Sequence, residues 1–388
     1  MFPIELGEVP YQDPWLRSIG ERLAQLAKGE QRVAYFYESP NNSTFRYRAY
    51  NMVNVINQTV GTRVSADYFF LSDSAHLSQI VDLADVLVVC RSRYEYRLNH
   101  WITRFKNCGK RVLFDVDDLV FNPSHAHMIM NTLAQDSDVS EVWDYWFSYL
   151  SRMQESLKLC DGAITTNAYL GQQITSCTGL PVEVVPNFMN EEQLTISNTI
   201  FQSKKSSNFA SQGAIVLGYF SGSPSHKLDY AMVEPAIAHV MGKDDRVQLM
   251  LAGYIEPEQA LAPFGGRIQR VPFSDYVNLQ RWIGSVDFNL VPLQSNIFTN
   301  CKSELKYFEA AALGTPTIAS PTFTYANAIE DGVNGRLAKA HEWTDVIMAA
   351  IDEEDRYPEM AIKAHDHALA HYSWDKQYST VMKALGLS

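Results

Sequence analysis

Short apolar runs alternate with longer amphipathic stretches along most of the chain, the pattern of an α/β protein built on parallel sheets. In the first half, runs at 32–37, 67–71, 85–90, 111–116, 162–165 and 182–186 predict buried strands. Helical periodicity is clearest at 45–58, 93–107 and 140–159. The stretch from Thr195 to Gln212 is polar and aperiodic and contains Ser-Lys-Lys-Ser-Ser, so 196–212 reads as a linker. Beyond it the alternation restarts. Strands are predicted at 214–220, 247–252, 267–271, 287–291 and 315–319, and helices at 231–240, 276–283, 303–313, 342–352 and 357–369. Two α/β halves around one linker put the expected ligand site in the cleft between them, beyond the carboxyl ends of the strands.

Length and composition sharpen this picture. At 388 residues the chain has room for two domains of roughly 150–200 residues each. A hydrophobic content of 46% with 20% charged residues excludes a disordered chain. The balance of 32 basic to 44 acidic residues, net −12, argues against nucleic acid as a partner, because binding a polymer of phosphates needs a basic excess. It leaves room for one small anion in a local pocket. Five cysteines (Cys90, Cys108, Cys160, Cys177, Cys301) without a C-x-x-C pair argue against a disulfide framework or zinc site and for a reducing compartment. No basic region followed by an apolar stretch opens the chain, and no apolar run approaches the ~18–20 residues of a membrane span. A soluble, cytoplasmic protein is the expectation. One stretch opposes the overall charge: 91–111 holds seven basic residues and one acidic, interleaved with Tyr94, Tyr96, Trp101 and Phe105. Such a helix suits peripheral contact with an anionic membrane, on the inner face of the cell membrane; an ordinary surface helix has the same composition.

The most informative segment is 300–320, NCKSELKYFEAAALGTPTIAS. Ser303 fits a helix N-cap, and Gly314-Thr315-Pro316 fits a helix stop. Leu305, Phe308 and Ala312 share a core-facing stripe, while Lys302, Lys306 and Glu309, spaced i, i+4, i+7, share another. A helix beginning near 303 also aims unpaired N–H groups and partial positive charge forward. Two lysines, a helix N-terminus and one carboxylate suit a phosphate beside a polyhydroxylated group. A solvated Lys/Glu face on an ordinary amphipathic helix shows the same spacing.

Residues 308–320, FEAAALGTPTIAS, resemble the EAxAxGxPVIAS signature of the retaining group 1, family 4-like glycosyltransferases of the GT-B fold, of the kind used in bacterial polysaccharide and glycan assembly. CDGAITTN at 160–167 with VEVVPNFMN at 182–190, Val291-Pro292-Leu293, and IEDGVNG at 329–335 match further segments of that family in the right order, over roughly 110–375. The resemblance implies two Rossmann-like domains facing each other across a central cleft. An N-terminal acceptor domain would span 1–195 and be completed by a C-terminal helix at 372–388; a nucleotide-sugar donor domain would span 213–371. It implies transfer of a sugar from a nucleotide-diphosphate sugar to a carbohydrate acceptor (a glycan, polysaccharide or lipid-linked saccharide), with retention and with no metal or other cofactor.

By the same resemblance Glu309 holds the ribose hydroxyls of the donor, since a carboxylate can accept two hydrogen bonds from a vicinal diol. The family's other Glu, eight positions earlier, is here Cys301, so Glu304 or Asn300 is left to read the sugar. Lys302 and Lys306 are the diphosphate contacts. The loop from Gly218 to Asp229 is similar to the family's donor loop with Tyr219 in place of its Arg, which nominates Gly222, Ser223, His226 and Lys227; Val271 and Phe273 would lie beside the nucleobase. On the acceptor side the candidates are Arg46, Arg48 and Asp118, with Asp117 to orient an acceptor hydroxyl or accept its proton; surface arginines and helix-capping aspartates are the plain alternatives. Trp143, Tyr145, Trp146, Phe147 and Tyr149 either stack acceptor sugars or pack on a neighbouring helix. Two other functions fit the same architecture: a nucleotide-sugar epimerase, and a degenerate transferase that binds nucleotide sugars without turnover.

Overall fold

The computed structural model describes residues 2, 7–61, 63–211, 213–222, 226–255 and 259–387. Strands β1 (Gln31–Tyr37), β2 (Val64–Phe70), β3 (Val86–Cys90), β4 (Arg111–Val116), β5 (Gly162–Thr165) and β6 (Val182–Val184) form one parallel sheet in the order β2-β1-β3-β4-β5-β6. Strands β7 (Ile215–Ser221), β8 (Val247–Gly253), β9 (Ile268–Val271), β10 (Phe288–Val291), β11 (Thr317–Ala319) and β12 (Arg336–Leu337) form a second, ordered β12-β11-β10-β7-β8-β9 and also parallel. Helices cover both faces, which is why the strands read as unbroken apolar runs: every residue of β3, β5, β7 and β10 is buried. The chain is thus two Rossmann-like domains, as the resemblance implied. Strand order reverses between β1 and β3 in the first sheet and between β7 and β10 in the second, the positions at whose carboxyl ends α/β sheets bind ligands.

The expected linker is largely helix. Residues Glu191–Ser206 are helical, capped by the Asn190 side chain, with Glu191 and Glu192 in the first turn and Lys204 and Lys205 in the last. Its buried face is Gln193, Ser197, Ile200, Phe201 and Lys204; three of the five are polar, which hides the periodicity. Helix Ile19–Leu26, unpredicted, has a capping box between Ser18 and Glu21.

The halves are joined by side chains as well as by the main chain. Helix Tyr378–Leu385 buries Val381, Met382, Ala384 and Leu385 in the core around β1 and β3, and the Leu385 carbonyl accepts a hydrogen bond from Arg111 Nη1 at 3.0 Å. Phe298 and Cys301, from the segment after β10, pack into the other core of the first half. No described helix is long and apolar enough to cross a membrane. Most basic groups of 91–111 are used internally: Arg91 pairs with Asp117, Arg93 with Glu38 and Lys106 with Asp161, and the Lys110 ammonium donates to the carbonyls of Val81 and Ala84.

Candidate functional site in the cleft between the two sheets

In the second half, the site forms where β7 and β10 end. Helix Leu305–Ala311 is shorter than predicted, begins after Glu304, and has no side-chain cap; Ser303 is not its N-cap. Its upstream neighbour, helix Ile297–Asn300, is capped by Asn296, and the Lys302 carbonyl accepts from Thr324 Oγ1 at 2.8 Å, which turns the connecting residues inward. Gly314 ends the turn at φ +63°, and a Cβ there would stand 2.9 Å from the Phe201 ring. Lys306 reaches back along the helix, its ammonium 5.3 Å from the centre of the Tyr219 ring, where the family keeps an Arg. Burial, with the charge of Lys302 adding to it against Asp229 and Glu309, lowers Lys306 to about 8.

His226 donates Nδ1–H to Asp229 Oδ2 at 3.0 Å, the tautomer that the carboxylate dictates. Burial and then the Lys306 charge lower it to about 4, so at neutral pH the ring is uncharged and its Nε2 is an acceptor. His226 therefore donates to a phosphate only when a bound anion raises its pKa enough for it to take up a proton from solvent. Asp229 Oδ1 accepts from the Gln294 amide N–H and side chain at 3.1 and 3.2 Å, and Gln294 also donates to the Thr132 carbonyl of the first half. Lys227 and Gly222 are exposed at the surface; Ser223 lies outside the described residues. Val271 is buried at the end of β9, and Phe273 beyond it is 56% exposed with its ring 5.9 Å from that of the equally exposed Tyr254.

In the first half, the strand ends are closed by ion pairs. Arg48 makes a bidentate pair with Asp115 (2.7 and 2.9 Å) and donates to the Val185 carbonyl and Asn187. It is fully buried, which corrects its assignment to the acceptor side: this guanidinium ties strands together and reaches no ligand. Burial pushes Asp115 up to about 6 against the pull of Arg48, so it remains ionised at neutral pH. Asp117 accepts from Arg91 and Thr44, both at 2.9 Å; burial would raise it, but these partners and the nearby Arg48 hold it below the ordinary carboxylate range. Arg91 itself sits at φ 33°, an uncommon conformation for a residue with a side chain, directly after β3.

Lys302 and Glu309 each make contacts across the cleft. Lys302 Nζ lies 3.5 Å from Asp118 Oδ2 and 4.3 Å from the centre of the Phe298 ring. Glu309 is buried at 4% exposure, and its Oε1 accepts from Arg46 (3.3 Å), Gln193 (3.1 Å) and the Tyr47 hydroxyl, all from outside the second sheet. Arg46, Tyr47 and Arg48 come from one π-turn, Arg46–Tyr50, just beyond β1, a local widening common near functional sites. Arg46 thus faces the cleft but is committed to Glu309, with its guanidinium 4.0 Å from the Tyr47 ring centre.

Glu304 is buried, with Oε1 taking a hydrogen bond from Tyr372 at 2.8 Å; burial outweighs that bond and raises its pKa. The neighbouring Ser303 hydroxyl also lies against the Glu304 carboxylate, and Thr322 Oγ1 is buried nearby. Cys301, where the family has a Glu, is fully buried. The structure therefore brings together Lys302, Lys306, His226, Glu309, Asp117 and Asp118. Sequence reasoning missed Tyr47, Arg91, Gln193, Asp229 and Gln294, which hold them. Among the described residues no group of three His, Cys, Asp or Glu is arranged to hold a metal ion.

Residues 216–353 match the family model described as glycosyl transferases group 1. A 93-residue stretch is 34% identical to D-inositol 3-phosphate glycosyltransferase of Nocardia farcinica, covering 23% of this chain and 19% of that protein. Among solved structures, the chain is similar to a glycosyltransferase from Rickettsia africae (TM-score 0.62, 12% identity, 92% of this chain and 99% of that one). It is also similar to Anabaena Alr3699/HepE in complex with UDP and glucose (TM-score 0.60, 14% identity, 92% and 100%) and to sucrose-phosphate synthase from Thermosynechococcus elongatus (TM-score 0.59, 13% identity, 91% and 97%). The cations at the ends of β7 and β10 thus lie within the segment, 216–353, that matches the glycosyl transferases group 1 model, set in a GT-B fold.

Proposed function

We propose that the protein transfers a sugar from a nucleotide-diphosphate sugar to a carbohydrate acceptor, with retention and without metal. The observation that carries this reading is the convergence of Lys302, Lys306 and Glu309 at the β7/β10 crevice of a group 1 domain, opposite Asp117 and Asp118. On this reading 213–371 is the donor domain and 1–195 with 372–388 the acceptor domain. Lys302 and Lys306 neutralise the diphosphate as the anomeric C–O bond breaks, a role that fixed cations fill well in a site of low dielectric. Glu309 takes the ribose hydroxyls, and Tyr254 and Phe273 flank the base. Glu304, buried beside Lys302 and Lys306 in sequence, reads the sugar in place of the residue lost at Cys301. The acceptor oxygen bonds to the anomeric carbon, and its proton leaves with the departing phosphate. Asp117, held ionised by Arg91, is a weak base and orients the acceptor hydroxyl.

A thermal-shift screen against UDP, GDP, dTDP and CMP sugars tests the donor site, since a ligand that binds only the folded state raises stability by mass action. One nucleotide class should raise the melting temperature; no shift with any of them rejects the reading. Transfer should survive EDTA, and loss restored by Mg²⁺ or Mn²⁺ would reject independence from metal. Cys301 favours one alternative, a degenerate transferase, which would bind the donor and turn over with no acceptor.

A further inference from the structure

Helix Ser140–Lys158 packs Trp143, Trp146 and Tyr149 against the first-half core and leaves them partly exposed. All its buried residues, Leu150, Met153, Ser156 and Leu157, lie in its carboxyl-terminal part. Ahead of them Tyr145, Trp146 and Tyr149 form one aromatic cluster: Trp146 meets Tyr145 edge-on at 5.7 Å and Tyr149 at 5.8 Å, and the two tyrosines stack at 6.1 Å. Tyr145 is 56% exposed, and Trp146 and Tyr149 are partly exposed. The cluster is continuous with the cleft. The Arg93 guanidinium lies 5.7 Å from the Tyr149 ring centre and pairs with Glu38, the first residue after β1. The row therefore runs from the switch point of the first sheet outward along the helix.

We infer that this row is an extended subsite for the acceptor, and that the acceptor is an oligosaccharide rather than a single sugar. The inference rests on the transferase reading above and deepens it. A pyranose ring has an apolar C–H face and a rim of hydroxyls. The row offers the matching pair: aromatic faces, each ring with a polar edge, bordered by half-exposed carboxylate and guanidinium groups. Those charges are already paired, with Arg93 and Glu38 side chains 37% and 30% exposed, so the surface suits a neutral ligand better than an anionic one. Its apolar groups are aromatic and not aliphatic, and charges interrupt them, unlike the apolar centre of a protein interface.

The test uses the full chain, saturated with UDP, and saturation-transfer NMR with the hexasaccharides cellohexaose, maltohexaose and chitohexaose and with the matching single sugars. At least one hexasaccharide should bind, and Trp146→Ala and Tyr149→Ala should each weaken it about tenfold, as expected for stacked anchor residues. Trp146→Phe should recover most of the loss, and Tyr145→Ala, at a position exposed enough for truncation to leave the core intact, should weaken binding as well. Binding of no hexasaccharide, binding untouched by Trp146→Ala and Tyr149→Ala, or equal losses for single sugars overturns the inference. UDP affinity is measured on the same samples: its absence in the wild type counts against the donor site, and its retention in the variants isolates the acceptor surface.

Discussion

The two sheets share a fold and differ in what stands at their strand ends. In the first sheet the charges are matched: Arg48 with Asp115, Arg91 with Asp117, Arg93 with Glu38. In the second they are not. Lys302 has one loose contact at 3.5 Å, to a residue of the other half, and Lys306 rests against the Tyr219 ring with its pKa lowered by burial. A crevice whose cations lack close carboxylate partners is prepared for an anionic ligand; one whose charges are internally paired is prepared for a neutral ligand. On the proposed reading, this difference in charge placement is what separates a donor side from an acceptor side.

The comparison can be broken most severely on the first sheet. Arg48→Ala leaves Asp115 buried without its partner, and a loss of about 3–5 kcal/mol is expected, read as a lower urea midpoint with donor affinity unchanged in the folded fraction. Equal stability would show that the pair is not structural. On the second sheet, Glu309→Gln should weaken donor binding about 30–100-fold in calorimetry, because it removes a charged acceptor of hydrogen bonds. Gln keeps an acceptor for Arg46, which makes it a cleaner probe than Ala in this buried network.

Lys306→Ala should weaken the donor about tenfold, and the wild-type affinity should fall as pH rises through about 8, where the free lysine loses its charge. Its folded pKa lies below the ordinary value of 10.5, so between about 8 and 10.5 the unfolded chain binds more protons and stability rises with pH. Buried Lys204, lowered to about 7, acts with the same sign from a lower starting point. The Ala variant should show a flatter rise in melting temperature over that range; an unchanged profile would mean that Lys306 is not buried as a cation. The smallest effect is expected from Asp118→Asn, which frees Lys302 for the diphosphate: a gain of a few-fold in donor affinity at low salt, shrinking as salt rises.

Much of this was legible in the sequence. The strands announced themselves because both sheet faces are covered. Lys306 and Glu309 share a face of helix Leu305–Ala311, as their spacing indicated, while Lys302 comes from the turn ahead of it. What stayed hidden depends on distance along the chain or on polar burial. Tyr47 meets Glu309 across 262 residues, and no local pattern foretells it. Gln193 sits on a helix whose buried face is mostly polar, although Asn190 and the two following glutamates were a readable start signal. Strand β12 has only two residues, one of them Arg336, and offers no apolar run. Ser303 had the chemistry of a cap, but the chain turns it inward and Glu304 takes the boundary.

The central claim is that the second sheet's crevice holds a nucleotide diphosphate through its lysines. Calorimetric titration of the nucleotide sugar that gives the strongest thermal shift, into the wild type and a Lys302→Ala/Lys306→Ala double variant, tests it directly. Saturable binding by the wild type, weakened at least about a hundredfold in the double variant as two charge-assisted contacts are lost, is the predicted result. Equal affinity in the two proteins would contradict it.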